Sequence, residues 1–108
     1  MTSRNKAVLF TKEDCAPCAV LFTKEDCAPC LNTKAYIERE LDEELVYANL
    51  VVLKKENHSA LVAAYELTLF PTLLIVDKQG EELHRIVGGN KIQAQLEYIL
   101  QGIREANS

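Results

Sequence analysis

Residues 19–30, AVLFTKEDCAPC, decide the fold, because they carry three structural signals in a fixed order. A short apolar run typical of a strand comes first, a polar turn follows, and a Cys-x-x-Cys pair then opens a helix. Proline is favoured at the first helical position, where the N–H that it lacks would have no partner. The helix is therefore predicted from Pro29, with an apolar stripe that continues through 31–45.

The same twelve letters also occupy residues 7–18, directly upstream and without a spacer. Two old repeats would have accumulated differences, so an identical tandem copy indicates a recent duplication, a cloning event or a deliberate insertion. Only the second copy is joined to the helix at 31–45, so connectivity selects Cys27 and Cys30 as the working pair. Cys15 and Cys18 are then duplicated and non-essential.

The first copy is accordingly predicted to belong to an N-terminal extension at 1–18, followed by one domain at 19–108. We expect it to lie outside the central positions of the sheet. Its apolar AVLF run can compete for the place of its twin, which is a domain-swapping risk for a chain expected to be a monomer.

Composition describes a soluble chain of one domain. Its 108 residues are 48% apolar and 26% charged, with a net charge of -4 and acids and bases interspersed. There is no basic patch for nucleic acid and no run near the ~20 apolar residues of a membrane span. The first apolar run is too short for a signal peptide, so we expect a reducing cytoplasm, where cysteine pairs are more often catalytic or metal-binding than structural.

The rest of the chain alternates strand and helix signals. The strand signals lie at 46–53, 72–76 and 82–87, and further helix signals lie at 59–67 and from residue 89 or 90 onward. The run at 46–53 is almost wholly apolar, which predicts a parallel strand buried on both faces. The order predicts an α/β fold with a central mixed sheet of about four strands flanked by about three helices.

Three landmarks give residues 19–108 a resemblance to the thioredoxin family: Cys27-Ala28-Pro29-Cys30, Phe70-Pro71-Thr72, and the hairpin that ends Ile86-Val87-Gly88. The resemblance implies a thioredoxin-like fold. It also implies that Pro71 follows a cis peptide bond and faces the cysteine pair. Ala28, Pro29, Phe70 and Pro71 would then form the substrate-binding surface.

The position of the cysteine pair predicts its chemistry. A helix N-terminus carries partial positive charge and free N–H groups, which stabilise the thiolate of Cys27. That thiolate attacks a substrate disulfide, and Cys30 then resolves the mixed disulfide. The sequence thus predicts a dithiol–disulfide oxidoreductase whose redox-active disulfide serves as its only cofactor.

Some residues depart from the thioredoxin pattern. Leu21 stands where thioredoxins commonly carry a buried aspartate, so the group that deprotonates Cys30 stays open among Glu25, Asp26 and water. The LFTKEDC turn and Thr33-Lys34 are similar to glutaredoxins. A glutaredoxin-like donor that uses glutathione is therefore an alternative. The electron source is either a flavoprotein of the thioredoxin reductase type or glutathione.

A metal site is the alternative from another class. The four cysteines read Cys-x2-Cys-x8-Cys-x2-Cys, which could hold zinc or an iron–sulfur cluster. This spacing is a by-product of the duplication, however, and each pair contains a proline. We therefore expect no metal, and a purely structural or interaction protein remains the third alternative.

Overall fold

The computed structural model describes residues 17–107. Within them the chain forms four strands, four α-helices and a short 3-10 helix at Lys55–Asn57. The strands are β1 (Cys18–Thr23), β2 (Leu50–Lys54), β3 (Thr72–Val76) and β4 (Glu82–Val87). The helices are α1 (Ala28–Glu40), α2 (Glu43–Asn49), α3 (Ser59–Ala64) and α4 (Gly89–Ala106).

The four strands form one mixed sheet in the order β2-β1-β3-β4. β2 runs parallel to β1, whereas β3 is antiparallel to both β1 and β4. β1 is an interior strand and all six of its residues are buried, which is why its sequence is a continuous apolar run. The predicted mixed sheet is confirmed.

The core lies on both faces of this sheet. On one face, Leu21 and Leu73 pack in a cluster with apolar side chains of α1, α2 and α4. On the other face, Val20, Phe22 and Leu74 pack with side chains of α3 and the segment after it. Strands this apolar are stable only when helices cover both faces, and the helices at 28–49, 59–64 and 89–106 provide that cover.

The helix predicted through residue 45 is in fact two helices, so the sheet is flanked by four helices where about three were expected. α1 ends at Glu40, and Leu41 takes an extended conformation. Asp42 then caps α2, because its Oδ2 accepts a hydrogen bond of 3.0 Å from the N–H of Leu45. The prediction of a strand from 46 is wrong for residues 46–49, which complete α2.

The second correction concerns the burial of β2. Residues 46–53 were expected to be buried on both faces, but only Leu50 of β2 is buried and Val52 is 43% exposed. β2 is the edge strand beside β1, so the layers that cover the sheet do not enclose it fully.

The third correction concerns the end of the first copy of the repeat. Cys18 is buried at 4% exposure and begins β1, where it pairs with Val76. The expectation that the copy lies outside the central strands is therefore wrong for Cys18, because β1 extends one residue further back than its AVLFT core. The rest of that copy at 7–16, including Cys15, lies outside the described residues, and the domain boundary between 18 and 19 stays a prediction.

No helix within residues 17–107 has the length and apolar character that crossing a membrane requires.

Candidate active site

Cys27 and Cys30 form a disulfide at the start of α1, with Cα atoms 5.2 Å apart. Cys27 is the N-cap residue, with the extended backbone typical of that position. The N–H of Cys30 points at the Sγ of Cys27 over 3.2 Å, so the sulfur takes the place of the oxygen acceptor that usually caps a helix. This geometry directs a backbone donor and the positive end of the helix dipole at the sulfur of Cys27.

The turn between β1 and α1 positions the two cysteines. Asp26 adopts a left-handed conformation with φ of 52°, which aspartate tolerates better than most residues. The N–H of Glu25 donates to Glu56 Oε2 over 3.2 Å, which lowers the pKa of the Glu56 carboxyl. Glu25 Oε1 in turn lies 3.3 Å from Lys54 Nζ, so the turn is tied to the end of β2 at two points.

The segment before β3 lies against the disulfide. The Phe70–Pro71 peptide bond is cis, as the sequence predicts, and the carbonyl oxygen of Phe70 is 3.8 Å from Cys27 Sγ. The carbonyl of Pro71 accepts a hydrogen bond of 3.0 Å from the N–H of Gly88. Thr72 Oγ1 donates to the carbonyl of Leu69 over 2.6 Å. The backbone beside the disulfide is thus held from β4 and from within its own turn.

A groove of about 530 Å³, here called the Phe70 groove, runs between the start of α1 and the start of α4. Its lining residues are Ala28, Pro29, Asn32, Phe70, Val87, Gly88, Gly89, Asn90, Lys91 and Gln93. Three of the four predicted substrate-binding residues line it: Ala28, Pro29 and Phe70. Pro71 is fully buried, so its side chain is not part of that surface.

A second hollow of about 390 Å³, here called the Cys30 pocket, lies on another side of the disulfide. Its lining residues are Thr23, Lys24, Glu25, Asp26, Cys30, Leu31, Lys34 and Lys54. It is rich in charge, whereas the Phe70 groove is mostly apolar or neutral. Cys30 is only 1% exposed, yet it lines this pocket together with charged side chains.

Sequence reasoning missed a contact between the first turns of α1 and α4. Thr33 is fully buried, and its Oγ1 donates to the carbonyl of Pro29 over 2.8 Å. Gln93 Nε2 lies 3.5 Å from Thr33 Oγ1. A Cβ on Gly89 would lie 2.8 Å from Thr33 Oγ1 and 3.2 Å from the Pro29 carbonyl, so only glycine allows this approach. The available signal was Gly88-Gly89, which predicts the end of a strand and the start of the last helix but not this contact.

Cys18 is not part of this site. It begins β1, whereas Cys27 follows the other end of the strand, and five residue steps of about 3.3 Å separate Cys18 from Thr23 by roughly 16 Å. The described residues therefore do not bring Cys18 together with Cys27 and Cys30. Residues 17–107 also contain no group of three or more His, Cys, Asp or Glu side chains that could hold a metal ion.

The fold and the cysteine pair define a class of protein, an α/β domain with a redox-capable disulfide at a helix N-terminus. A family model described as a thioredoxin-like domain matches residues 2–103. The chain therefore belongs to the thioredoxin-like family.

Solved structures of thioredoxins are similar to it. Thioredoxin from Trypanosoma brucei brucei has a TM-score of 0.70 and 22% identity, over 97% of this chain and 88% of that one. Fasciola hepatica thioredoxin has the same score and identity over 88% of each chain. A poplar thioredoxin h has a TM-score of 0.65 and 22% identity, over 93% of this chain and 86% of that chain. At such identities the likeness shows the fold. A search among curated proteins gives no match.

Proposed function

We propose that this protein is a dithiol–disulfide oxidoreductase that reduces disulfides of other proteins through Cys27 and Cys30. The observation that carries the proposal is the disulfide at the start of α1, with the Cys30 N–H 3.2 Å from Cys27 Sγ. A thiolate on Cys27 gains from this donor and from the helix dipole, and the thiolate is the nucleophilic form of cysteine. The family membership and the thioredoxin fold support the same chemistry.

The reaction starts from the reduced pair. The Cys27 thiolate attacks one sulfur of the substrate disulfide, so a Cys27–substrate bond forms while the substrate S–S bond breaks. The departing substrate sulfur leaves as a thiolate and takes up a proton. Cys30 then loses its proton and attacks Cys27 Sγ. This step forms the Cys27–Cys30 disulfide and releases the second substrate thiolate, so two electrons pass from the pair to the substrate.

The proton of Cys30 needs an acceptor. Leu21, at the position where the thioredoxin pattern has an aspartate, is fully buried in the apolar core and cannot serve. The Cys30 pocket contains two carboxylates, Glu25 and Asp26, and Glu25 Oε1 lies 3.3 Å from Lys54 Nζ. We propose that these carboxylates, directly or through pocket water, take the proton as Cys30 attacks.

Electrons must return to the pair after each cycle. The proposed source is a flavoprotein of the thioredoxin reductase type, and glutathione is the alternative implied by the glutaredoxin-like turn. We further propose that the protein works as a monomer in a reducing cytoplasm, with the Cys27–Cys30 disulfide as its redox-active group, and that neither nucleic acid nor a membrane is its partner.

The test is the reduction of insulin by the 108-residue protein with dithiothreitol as electron source, followed as precipitation of the released B chain. We expect catalysis well above the rate with dithiothreitol alone. Replacing dithiothreitol by a thioredoxin reductase with NADPH, or by glutathione with glutathione reductase, identifies the electron source. An absence of catalysis with dithiothreitol contradicts the proposed function.

A further inference from the structure

The lysines of the described chain gather around the disulfide. Five of the nine Lys and Arg side chains at 17–107 line one of the two hollows or lie over Phe70: Lys24, Lys34, Lys54, Lys55 and Lys91. Only three of the fourteen carboxylates in the same range are found there: Glu25, Asp26 and Glu56. The surroundings of the disulfide therefore carry net positive charge, although the whole chain has a net charge of -4.

The acidic groups near the disulfide lie on the side of the Cys30 pocket. Glu25 pairs with Lys54, and Glu56 accepts the N–H of Glu25. The Phe70 groove, in contrast, is lined by no carboxylate and by one charged side chain, Lys91. A substrate segment in that groove would thus meet one positive charge and no negative charge.

Lys91 is available to a substrate. It is exposed, and within residues 17–107 it takes part in no ion pair. Helix stability does not explain its position, because it lies in the first turn of α4, where the helix dipole favours acidic residues and where this helix has none. Lys55 adds to the positive potential, since its Nζ lies 5.5 Å from the centre of the Phe70 ring, which is another wall of the groove.

We propose that the Phe70 groove selects protein disulfides whose reactive cysteine has an acidic neighbour, and that Lys91 binds the carboxylate of that neighbour. The inference rests on the proposed function and names its class of substrate. Charge complementarity carries it, because a groove with a lone ammonium attracts an acidic segment and repels a basic one. An exposed pair of this kind is screened by salt, so the selectivity should be strongest at low ionic strength.

The experiment uses two disulfide-linked peptides that differ only in the residues beside the reactive cysteine, glutamate in one and lysine in the other. The measured quantity is kcat/KM for each peptide with the full chain and dithiothreitol, at low salt and at high salt. We expect the acidic peptide to be preferred by about fivefold at low salt, the scale of one exposed ion pair, and the preference to shrink at high salt. Equal rates for the two peptides at low salt overturn the inference.

Charge variants test the role of Lys91. Lys91→Glu should remove or reverse the preference, whereas Lys91→Arg should keep it. Lys78→Glu is the matched control, because it makes the same charge change in the turn after β3, at the end of the sheet away from the disulfide. A preference that survives Lys91→Glu, or that Lys78→Glu lowers equally, overturns the assignment to Lys91. If neither peptide is reduced at all, the proposed function fails together with the inference, which distinguishes that result from equal rates.

Discussion

The two ends of the sheet are built from different kinds of contact. At the disulfide end, two backbone groups lie beside a sulfur atom: the Cys30 N–H faces Cys27 Sγ, and the Phe70 carbonyl lies 3.8 Å from the same sulfur. Both groups border Cys27 Sγ, the atom that forms the bond to the substrate in the proposed reaction.

At the other end, the turn between β3 and β4 ties its polar groups to one another. Asp77 Oδ1 accepts hydrogen bonds of 2.9 Å from the N–H groups of Gln79 and Glu81. The hydroxyl of buried Tyr65 donates to the carbonyl of Gly80. Changes to the reacting groups at the disulfide end should therefore lower activity more than stability, whereas changes to the hydrogen bonds at the turn end should do the reverse.

The largest effect is expected from the two carboxylates of the Cys30 pocket. In the double variant Glu25→Gln, Asp26→Asn, the re-formation of the Cys27–Cys30 disulfide should slow by at least about tenfold, since general base catalysis is commonly worth more than that. The rate is measured by rapid mixing of the reduced protein with a disulfide peptide. The matched control is Glu38→Gln, Glu97→Gln, which changes two exposed carboxylates outside both hollows. An unchanged rate in the Glu25→Gln, Asp26→Asn variant would contradict the role of these carboxylates and leave water as the acceptor of the Cys30 proton.

Gly89→Ala should come next, and it should affect both activity and stability. Its Cβ would lie 2.8 Å from Thr33 Oγ1 and 3.2 Å from the Pro29 carbonyl, and such overpacking commonly costs about 1–3 kcal/mol. Activity should also fall, because the Pro29 carbonyl that the new Cβ would displace lies between Cys27 and Cys30 in the chain. Insulin reduction and thermal unfolding measure the two effects.

Gly102→Ala is the control in the same helix. A Cβ there meets nothing within 4 Å, so the better helix propensity of alanine should stabilise the protein by up to about 1 kcal/mol. If both alanine variants behave alike, the close approach of α4 to α1 has no energetic role.

These two glycines also illustrate what sequence could and could not predict. The segment at 19–30 was predictable because its signals are local: an apolar run, a turn, and a proline at a helix start. The contact of Gly89 with Thr33 was not, since it depends on how two distant elements pack. The break between α1 and α2 was also missed, because Leu41 and Leu45 keep helical spacing across the cap formed by Asp42.

Tyr65→Phe should lower stability and leave insulin reduction unchanged, since it acts at the turn end. It leaves the Gly80 carbonyl without its donor, which commonly costs about 1–3 kcal/mol for a buried group. Denaturant unfolding at neutral pH measures the loss. A comparable loss of activity would contradict the separation of the two ends.

The same tyrosine predicts a pH dependence. Burial, followed by the charges of Glu81, Glu82 and Asp77, raises the pKa of Tyr65 above its ordinary value. The pKa of Tyr65 is higher in the folded state than in the unfolded state, so folding is favoured by the neutral hydroxyl. This contribution to stability is complete below the unfolded-state pKa of about 10 and is lost as the pH rises from there through the folded-state pKa. Unfolding curves between pH 8 and 11 should therefore show a steeper alkaline loss in the parent than in Tyr65→Phe.

The smallest effect on activity is expected from deleting one copy of the repeat, which gives the same chain whether 7–18 or 19–30 is removed. Lys6 then precedes β1 in place of buried Cys18, and Asn107 loses its hydrogen bond to the carbonyl of Pro17. We expect a loss of about 1 kcal/mol in stability with insulin reduction retained. Melting temperature, oligomeric state and activity are compared for the two forms, and an inactive short form would contradict the view that the repeat is dispensable.

A trapped intermediate can identify which copy of the repeat carries the reactive cysteines. Reduced Cys30→Ser protein is mixed with a disulfide peptide, and the covalent adduct is located by peptide mapping under mass spectrometry. We expect a stable mixed disulfide on Cys27, which disappears when Cys27→Ser is added and persists when Cys15→Ser is added. An adduct on Cys15 or Cys18 instead, or insulin reduction that survives Cys27→Ser but is lost in Cys15→Ser, would contradict the assignment of the reactive pair to the second copy.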